Sequence, residues 1–409
     1  MTARAGAGAN PRAAGAALPG AVLLGSHLAA YGAVRSLSRL DIPIAVVGED
    51  RGVAGRSRHV RAFLRLSPED PAFVPRLSDW ASQILDGRAV ILVAGSDAYL
   101  DAVAKARDAL PPGLTLAGSG WSHVQWLRQK HRCYPFAEEL GIPVPKTCYI
   151  TSRAELETLV DREELPPFPV LLKSEQSQRM LRVHGVKAVL CTTIDEILAA
   201  YDRYDGFCSE LLLQEMIPGP ERGQPNVLTV TAATGEPLAV FVNEKLRTSR
   251  RFLSCTLMRS MQCEEAVDMT LHLLRAIGFH GAANAEFKRD PRDGKLKLLE
   301  VNARLTVSNS HALRCGVDIV GAAYHLAVTP ERRQPTAFSA PPTGILWWYP
   351  AGDLAGLARA VFERRACPLQ WARDTMGPGY ILEPWSCRDP GPGLWSLARA
   401  LTRRRRGRG

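Results

Sequence analysis

The chain has 409 residues, 46% of them hydrophobic and 22% charged, with a formal net charge of +10. That length exceeds one ordinary core and predicts two or three domains, and the composition is that of a globular chain, which excludes a fibrous or wholly disordered one. No run approaches the ~20 continuous apolar residues of a spanning helix, so no membrane role is expected.

Residues 1–20 are rich in Ala, Gly and Pro without an apolar block, the pattern of a disordered leader and not of a signal peptide. Ala21-Val22-Leu23-Leu24, Ile42–Gly48 and Ala89–Ala94 are short apolar runs separated by helical stretches. This is the grammar of buried parallel strands, and it predicts a small doubly wound sheet over residues 21–125. The first turn, Gly25-Ser26-His27, lacks the G-x-G-x-x-G fingerprint, which disfavours a dinucleotide enzyme. Such a turn is still a common crevice in open sheets, so Ser26 and His27 are weak substrate candidates.

A helix is expected around Trp126–Leu140, ended by Gly141 and the prolines at 143 and 145. Phe168–Lys173 and Leu211–Ile217 read as apolar strands, the first with a lysine at its end. Val227–Ala232 and Leu238–Val242 form a hairpin about Thr234-Gly235-Glu236, and Glu264–Ile277 is an amphipathic helix. A second hairpin folds Ala285-Glu286-Phe287-Lys288 onto Leu298–Arg304 about a turn centred near residue 292. Glu286 and Glu300 then face each other, with Asn302 on the same side by the two-residue period. Two bare carboxylates so placed repel and call for a cation; oxygen donors without His or Cys suit Mg²⁺, completed by water and phosphate oxygens.

Five arginines (Arg403, Arg404, Arg405, Arg406, Arg408) stand in the last seven residues. They read as a solvated basic tail, and with no nucleic-acid motif beside them a nucleic-acid partner is not expected. Nine cysteines are scattered without a C-x-x-C pair, which argues against zinc and a disulfide framework and for a reducing cytoplasm.

In this order and spacing, Arg128-Gln129-Lys130, Gly141–Thr147, Pro169–Lys173, Gln214–Glu221, Lys245-Leu246-Arg247, Ala285–Lys288, Leu299–Arg304 and Asp389–Pro392 resemble the ATP-grasp superfamily, in particular its carboxylate–amine ligase-like branch. The resemblance implies an α/β and α+β chain: a pre-ATP-grasp parallel-sheet domain at 21–125, an ATP-grasp domain at 126–330 with lobes 126–212 and 213–330, and a C-terminal extension at 331–409. It implies ATP and Mg²⁺ (or Mn²⁺), with Glu286, Glu300 and Asn302 as metal ligands. Lys130 and Lys173 match the phosphate lysines, Gln214, Glu215, Met216 and Ile217 the adenine strand, and Glu221 the ribose acid. Arg304, Arg247 and Lys245 are implied contacts to phosphate, acyl phosphate or substrate carboxylate.

Relatives usually carry a glycine-rich loop after the second lysine. Here residues 174–187 form a loop with one glycine, leaving Ser177, Arg179, Arg182 and Lys187 as side-chain substitutes; Ala303 likewise stands where many relatives have proline. The expected reaction is ligation of a small carboxylate to an amino-acid-like amine through an acyl phosphate. Bicarbonate activation and a degenerate nucleotide-binding scaffold stay open, and a homodimer is the default assembly.

Overall fold

A computed structural model of the chain describes residues 17–406 apart from 86, 176, 205–210, 221, 250–254, 331–340 and 363–367. Its first layer is built from β1 (Gly20–Leu24), α1 (Leu28–Leu37), β2 (Ile44–Gly48), β3 (Val60–Arg65), α2 (Phe73–Ile84), β4 (Val90–Ala94), α3 (Asp97–Lys105) and β5 (Leu114–Leu116). The strands form a five-stranded parallel sheet in the order β3-β2-β1-β4-β5. Every residue of β1, β2 and β4 is buried, as the unbroken apolar runs require of strands covered on both faces. The strands β3 and β5 were not expected from the sequence: β3 is half-exposed and carries two arginines, and β5 has three residues.

Next come α4 (Trp121–Arg128), α5 (Lys130–Glu139), β6 (Thr147–Ile150), α6 (Arg153–Asp161), β7 (Val170–Ser174), α7 (Ser177–His184), β8 (Ala188–Cys191), α8 (Ile194–Arg203) and β9 (Leu211–Glu215). The single helix expected around 126–140 is two helices. Gln129 takes an extended backbone (φ −99°, ψ 108°) that ends α4 and starts α5, so Lys130 opens a helix instead of lying inside one. Strands β6-β9-β7-β8 make a four-stranded antiparallel sheet with its own apolar core around Leu156, Leu172, Ile197, Tyr201 and Leu213.

The third set is β10 (Gln224–Thr231), β11 (Pro237–Thr248), β12 (Cys255–Ser260), α9 (Glu264–Ile277), β13 (Gly281–Arg289), β14 (Leu296–Asn302), α10 (Ser308–Arg314) and α11 (Ile319–Val328). It is followed by β15 (Leu346–Trp348), α12 (Pro350–Phe362), α13 (Pro368–Asp374), β16 (Tyr380–Leu382) and α14 (Pro390–Arg406). Seven strands pair in the order β14-β13-β10-β11-β12-β15-β16. Two strands of the C-terminal extension therefore complete this sheet.

The parallel and seven-stranded sheets share apolar cores, whereas the four-stranded sheet keeps a separate one. Close approach joins the first two: the Cβ that any other residue would carry at Gly281 (φ +107°) would stand 2.6 Å from the Cα of Gly118. At Gly32 on α1 it would meet the side-chain oxygen of Asn309 on α10 at 2.0 Å, so glycine is what lets these helices touch. Of the expected leader, residues 1–16 lie outside the described part. Pro19 is docked, its carbonyl accepting from the Tyr324 hydroxyl at 2.7 Å. No described helix is long and apolar enough to cross a membrane.

Candidate active site

Strands β13 and β14 pair antiparallel with Glu286 directly opposite Glu300 and Asn284 opposite Asn302. The expected juxtaposition of the two carboxylates is present. Phe287 pairs with Leu298, so Leu299 is an extra residue on β14, a bulge that sharpens the local twist beside Glu300. The exposed carbonyl of that bulge is not left open: it accepts from the Tyr134 hydroxyl at 2.6 Å.

Lysines act on the pair from β11, α5, β7 and the turn before β8. Lys245 on β11 forms an ion pair with Glu286. Burial disfavours its charge, but Glu286 and Glu300 outweigh that and hold the ammonium above its ordinary pKa. Glu300 shows the converse: burial would raise it, yet Lys130, Lys187 and Lys245 keep the carboxylate below its usual range. Lys173, at the end of β7, is depressed to about 8 by burial and then by repulsion from Lys130, with Glu300 opposing. Lys130, Lys173, Lys187 and Lys245 thus act electrostatically on one patch.

Gln214 stands behind Lys173. Its Oε1 accepts from the Lys173 ammonium at 2.6 Å, and its Nε2 donates to the Tyr134 hydroxyl at 3.0 Å and to Thr147 Oγ1 at 3.2 Å. A continuous hydrogen-bonded chain therefore runs from Lys173 through Gln214 and Tyr134 to the bulge beside Glu300. Tyr134 was not anticipated, and no sequence period marks it.

Glu215 is buried. It accepts from the Lys146 amide (2.9 Å), Arg292 (2.7 Å) and Lys297 (3.0 Å), and these bonds hold it ionised against burial. Met216 donates its amide to the Pro169 carbonyl, and the Ile217 carbonyl accepts from Lys288 at 2.8 Å. Glu221 lies outside the described residues.

Arg304 is bidentate to Asp97 (2.7 and 2.6 Å) and also donates to Asn302 Oδ1 at 3.0 Å. Asp97 opens α3 at the end of β4 and also meets Arg128 at 3.1 Å. Burial would raise this carboxyl, but Arg304 and Arg128 hold it well below the carboxylate range. Arg128 is fixed in turn by Asp101. This ion-pair cluster joins the parallel sheet to the hairpin. Asp97 escaped the sequence reading, although its place at a strand end, where the strand order reverses between β1 and β4, is the available signal. Ser26 and Gly25 border the same reversal; Ser26 is buried and His27 is exposed.

Arg247 is not brought to the carboxylates. It is bidentate to Asp353 of α12 at 3.0 and 2.7 Å, and it lies over the Trp371 ring. Asp353 also accepts from Thr256 and from the Trp348 indole, both at 2.8 Å. The segment expected to be a loop after Lys173 holds a helix, α7, whose Met180 is buried in the four-stranded core and which gives way to Gly185 at φ +74°.

On the same face as Glu286 runs a row of buried amides. Thr306 Oγ1 donates to Asn284 Oδ1 (3.3 Å), Asn284 to Asn226 (3.0 Å) and Asn226 to Asn243 (3.1 Å). Asn243 then donates to His311 Nδ1 at 3.3 Å, and His311 Nε2 donates to the Ile345 carbonyl at 3.0 Å. Burial pushes His311 down to about 3, so it is neutral, and its carbonyl partner fixes the tautomer and hence every donor along the row. The row ties the segment after Arg304 to the sheet.

Two facing carboxylates on a large sheet, a lysine reaching them from a second small sheet, and a parallel sheet packed against the large one are the arrangement of the ATP-grasp fold. Residues 254–333 match the family model of the carbamoyl-phosphate synthase L chain ATP-binding domain. The D-aspartate ligase of Enterococcus faecium is 24% identical over 307 residues, covering 69% of this chain and 70% of that protein. The D-alanine–D-alanine ligase of Neisseria meningitidis serogroup A is 24% identical over 197 residues, 46% of this chain and 62% of that one, so this chain spans about three-fifths of the latter's length. Among solved structures, the biotin carboxylase domain of the Hydrogenobacter thermophilus 2-oxoglutarate carboxylase, a dimer holding MgADP, ADP and bicarbonate, superposes with TM-score 0.62. It shares 17% identity over 81% of this chain and 74% of that one. The chain has the ATP-grasp fold and is similar in sequence to these ligases.

Proposed function

We propose that the protein is an ATP-dependent ligase that joins a small carboxylate to an amino-acid amine, as the names of its curated relatives suggest. The observation that carries this reading is the pairing of Glu286 with Glu300 inside a cluster of four lysines. Two acids and the amide of Asn302 are a hard oxygen set that fits Mg²⁺ or Mn²⁺. When bound, that ion neutralises the phosphate oxygens of the nucleotide.

Lys130, Lys173, Lys187 and Lys245 supply point charges against a triphosphate that carries about four negative charges. A substrate carboxylate oxygen attacks the γ-phosphorus, the bond to the bridging oxygen breaks, and ADP leaves with that electron pair. The amine nitrogen then attacks the acyl carbon, phosphate departs with the C–O pair, and the amine gives up a proton. No protein nucleophile is needed; the side chains align and neutralise. Arg304, already bonded to Asn302, is the group we assign to hold the leaving phosphate. Incubation with MgATP and pairs of amino acids, followed by ADP release and product mass, tests this. Nucleotide turnover that depends on bicarbonate and on no amine would replace it.

A further inference from the structure

Strand β13 carries a second long side chain on the face of Glu286. Lys288, two residues on, donates from its ammonium to the carbonyls of Ile217 (2.8 Å) and Gly219 (3.1 Å). The same hairpin grips the connection between β9 and β10 again one step earlier. Arg292 and Lys297 bind Glu215 at 2.7 and 3.0 Å, and Asp290 binds both of those cations. Residues 215–219 leave the four-stranded sheet and lead into the seven-stranded one, so the two sheets are clamped at their junction by the ribbon that bears the carboxylates.

We propose that Lys288 is a positioning residue for the nucleotide base: by pinning the Ile217 and Gly219 carbonyls to β13, it sets the backbone beside the base at a fixed distance from Glu286 and Glu300. Two same-face residues on a strand are separated by about 7 Å, so one rigid element would define both ends of the bound nucleotide. A carbonyl held by an ammonium keeps a fixed orientation, and base preference follows from the direction in which its second lone pair and the neighbouring amides are left. An ammonium reaches two carbonyls at once, which a methionine in its place cannot do.

This inference rests on the nucleotide reading above, and equilibrium titration with MgATP and with MgGTP separates the two. Wild-type protein is expected to bind MgATP and to prefer it over MgGTP. Lys288→Met is expected to weaken MgATP about tenfold and to narrow the ATP:GTP affinity ratio by a similar factor, with Lys288→Arg restoring most of both. Lys288→Leu, which likewise has no donor, serves if the methionine variant does not fold. Wild-type binding with an unchanged ATP:GTP ratio in Lys288→Met, or in Lys288→Leu if the methionine variant does not fold, sinks the inference alone. Absence of nucleotide binding by wild type sinks the parent reading and this inference with it.

Discussion

At the residue scale, the charge of Lys173 is the one its surroundings oppose, and nucleotide binding should relieve this. Lys173, depressed to about 8 by burial and by Lys130, gains anionic partners when phosphates arrive, so its pKa must rise. At pH 8 MgATP binding is therefore expected to take up roughly half a proton. Titration calorimetry in buffers of different ionisation enthalpy reads that uptake, and Lys173→Met should abolish it. Glu300→Gln removes a proposed metal ligand while keeping shape, and on that proposal ADP release should fall at least about a hundredfold with the melting temperature little changed. Asp97 is different because it holds the fold. Asp97→Asn leaves Arg304 without a counter-charge and is expected to cost about 3 kcal/mol in denaturant unfolding. Since its folded pKa is depressed, the stability it contributes is complete above its ordinary value near 4 and lost as pH falls toward the folded one.

At the scale of elements, the facing acids were legible because a hairpin about Pro291 and Gly294 leaves little freedom of register, and the β13–β14 pairing keeps it. The helix at Glu264–Ile277 was legible for the same kind of local reason: a clean amphipathic period closed by Gly278 in the left-handed region. What one residue does with a partner hundreds of positions away was not. Arg247 finds Asp353 and Arg304 finds Asp97 through packing that no local period encodes. The segment after Lys173 was expected to be a loop by likeness to relatives, but Ser177–His184 contains good helix formers and buries Met180. Helix α7 occupies the segment where the resemblance implied a glycine-rich loop, and Lys187 just beyond it acts on Glu300. If α7 packs down on bound phosphates, trypsin cleavage at Arg182 and Lys187 should slow several-fold in saturating MgATP. Equal rates with and without nucleotide would show that α7 does not cover the site.

For the whole molecule, the residues after 340 are structural partners and not an appendage. Strands β15 and β16 extend the seven-stranded sheet beyond β12, and α12 supplies Asp353 to Arg247. Asp353→Ala is expected to destabilise by about 3–5 kcal/mol, because it strands a half-buried guanidinium and two further donors; unfolding in urea measures it. The sequence suggested only an extension here, since three-residue strands carry no readable period.

Asp389 brings the end of this extension back to the beginning: its carboxylate accepts from Ser57 Oγ at 2.6 Å and from the Arg58 amide at 3.0 Å. On a ribosome, those two groups emerge more than three hundred residues before their partner. The parallel sheet must wait through more than three hundred further residues with that latch undone, while the four-stranded sheet, whose strands all lie within residues 147–215, has everything it needs long before. Maturation of the newborn chain thus waits on the segment that carries Asp389, and a stalled polypeptide ending near residue 378 should stay open to proteases that the longer chain resists.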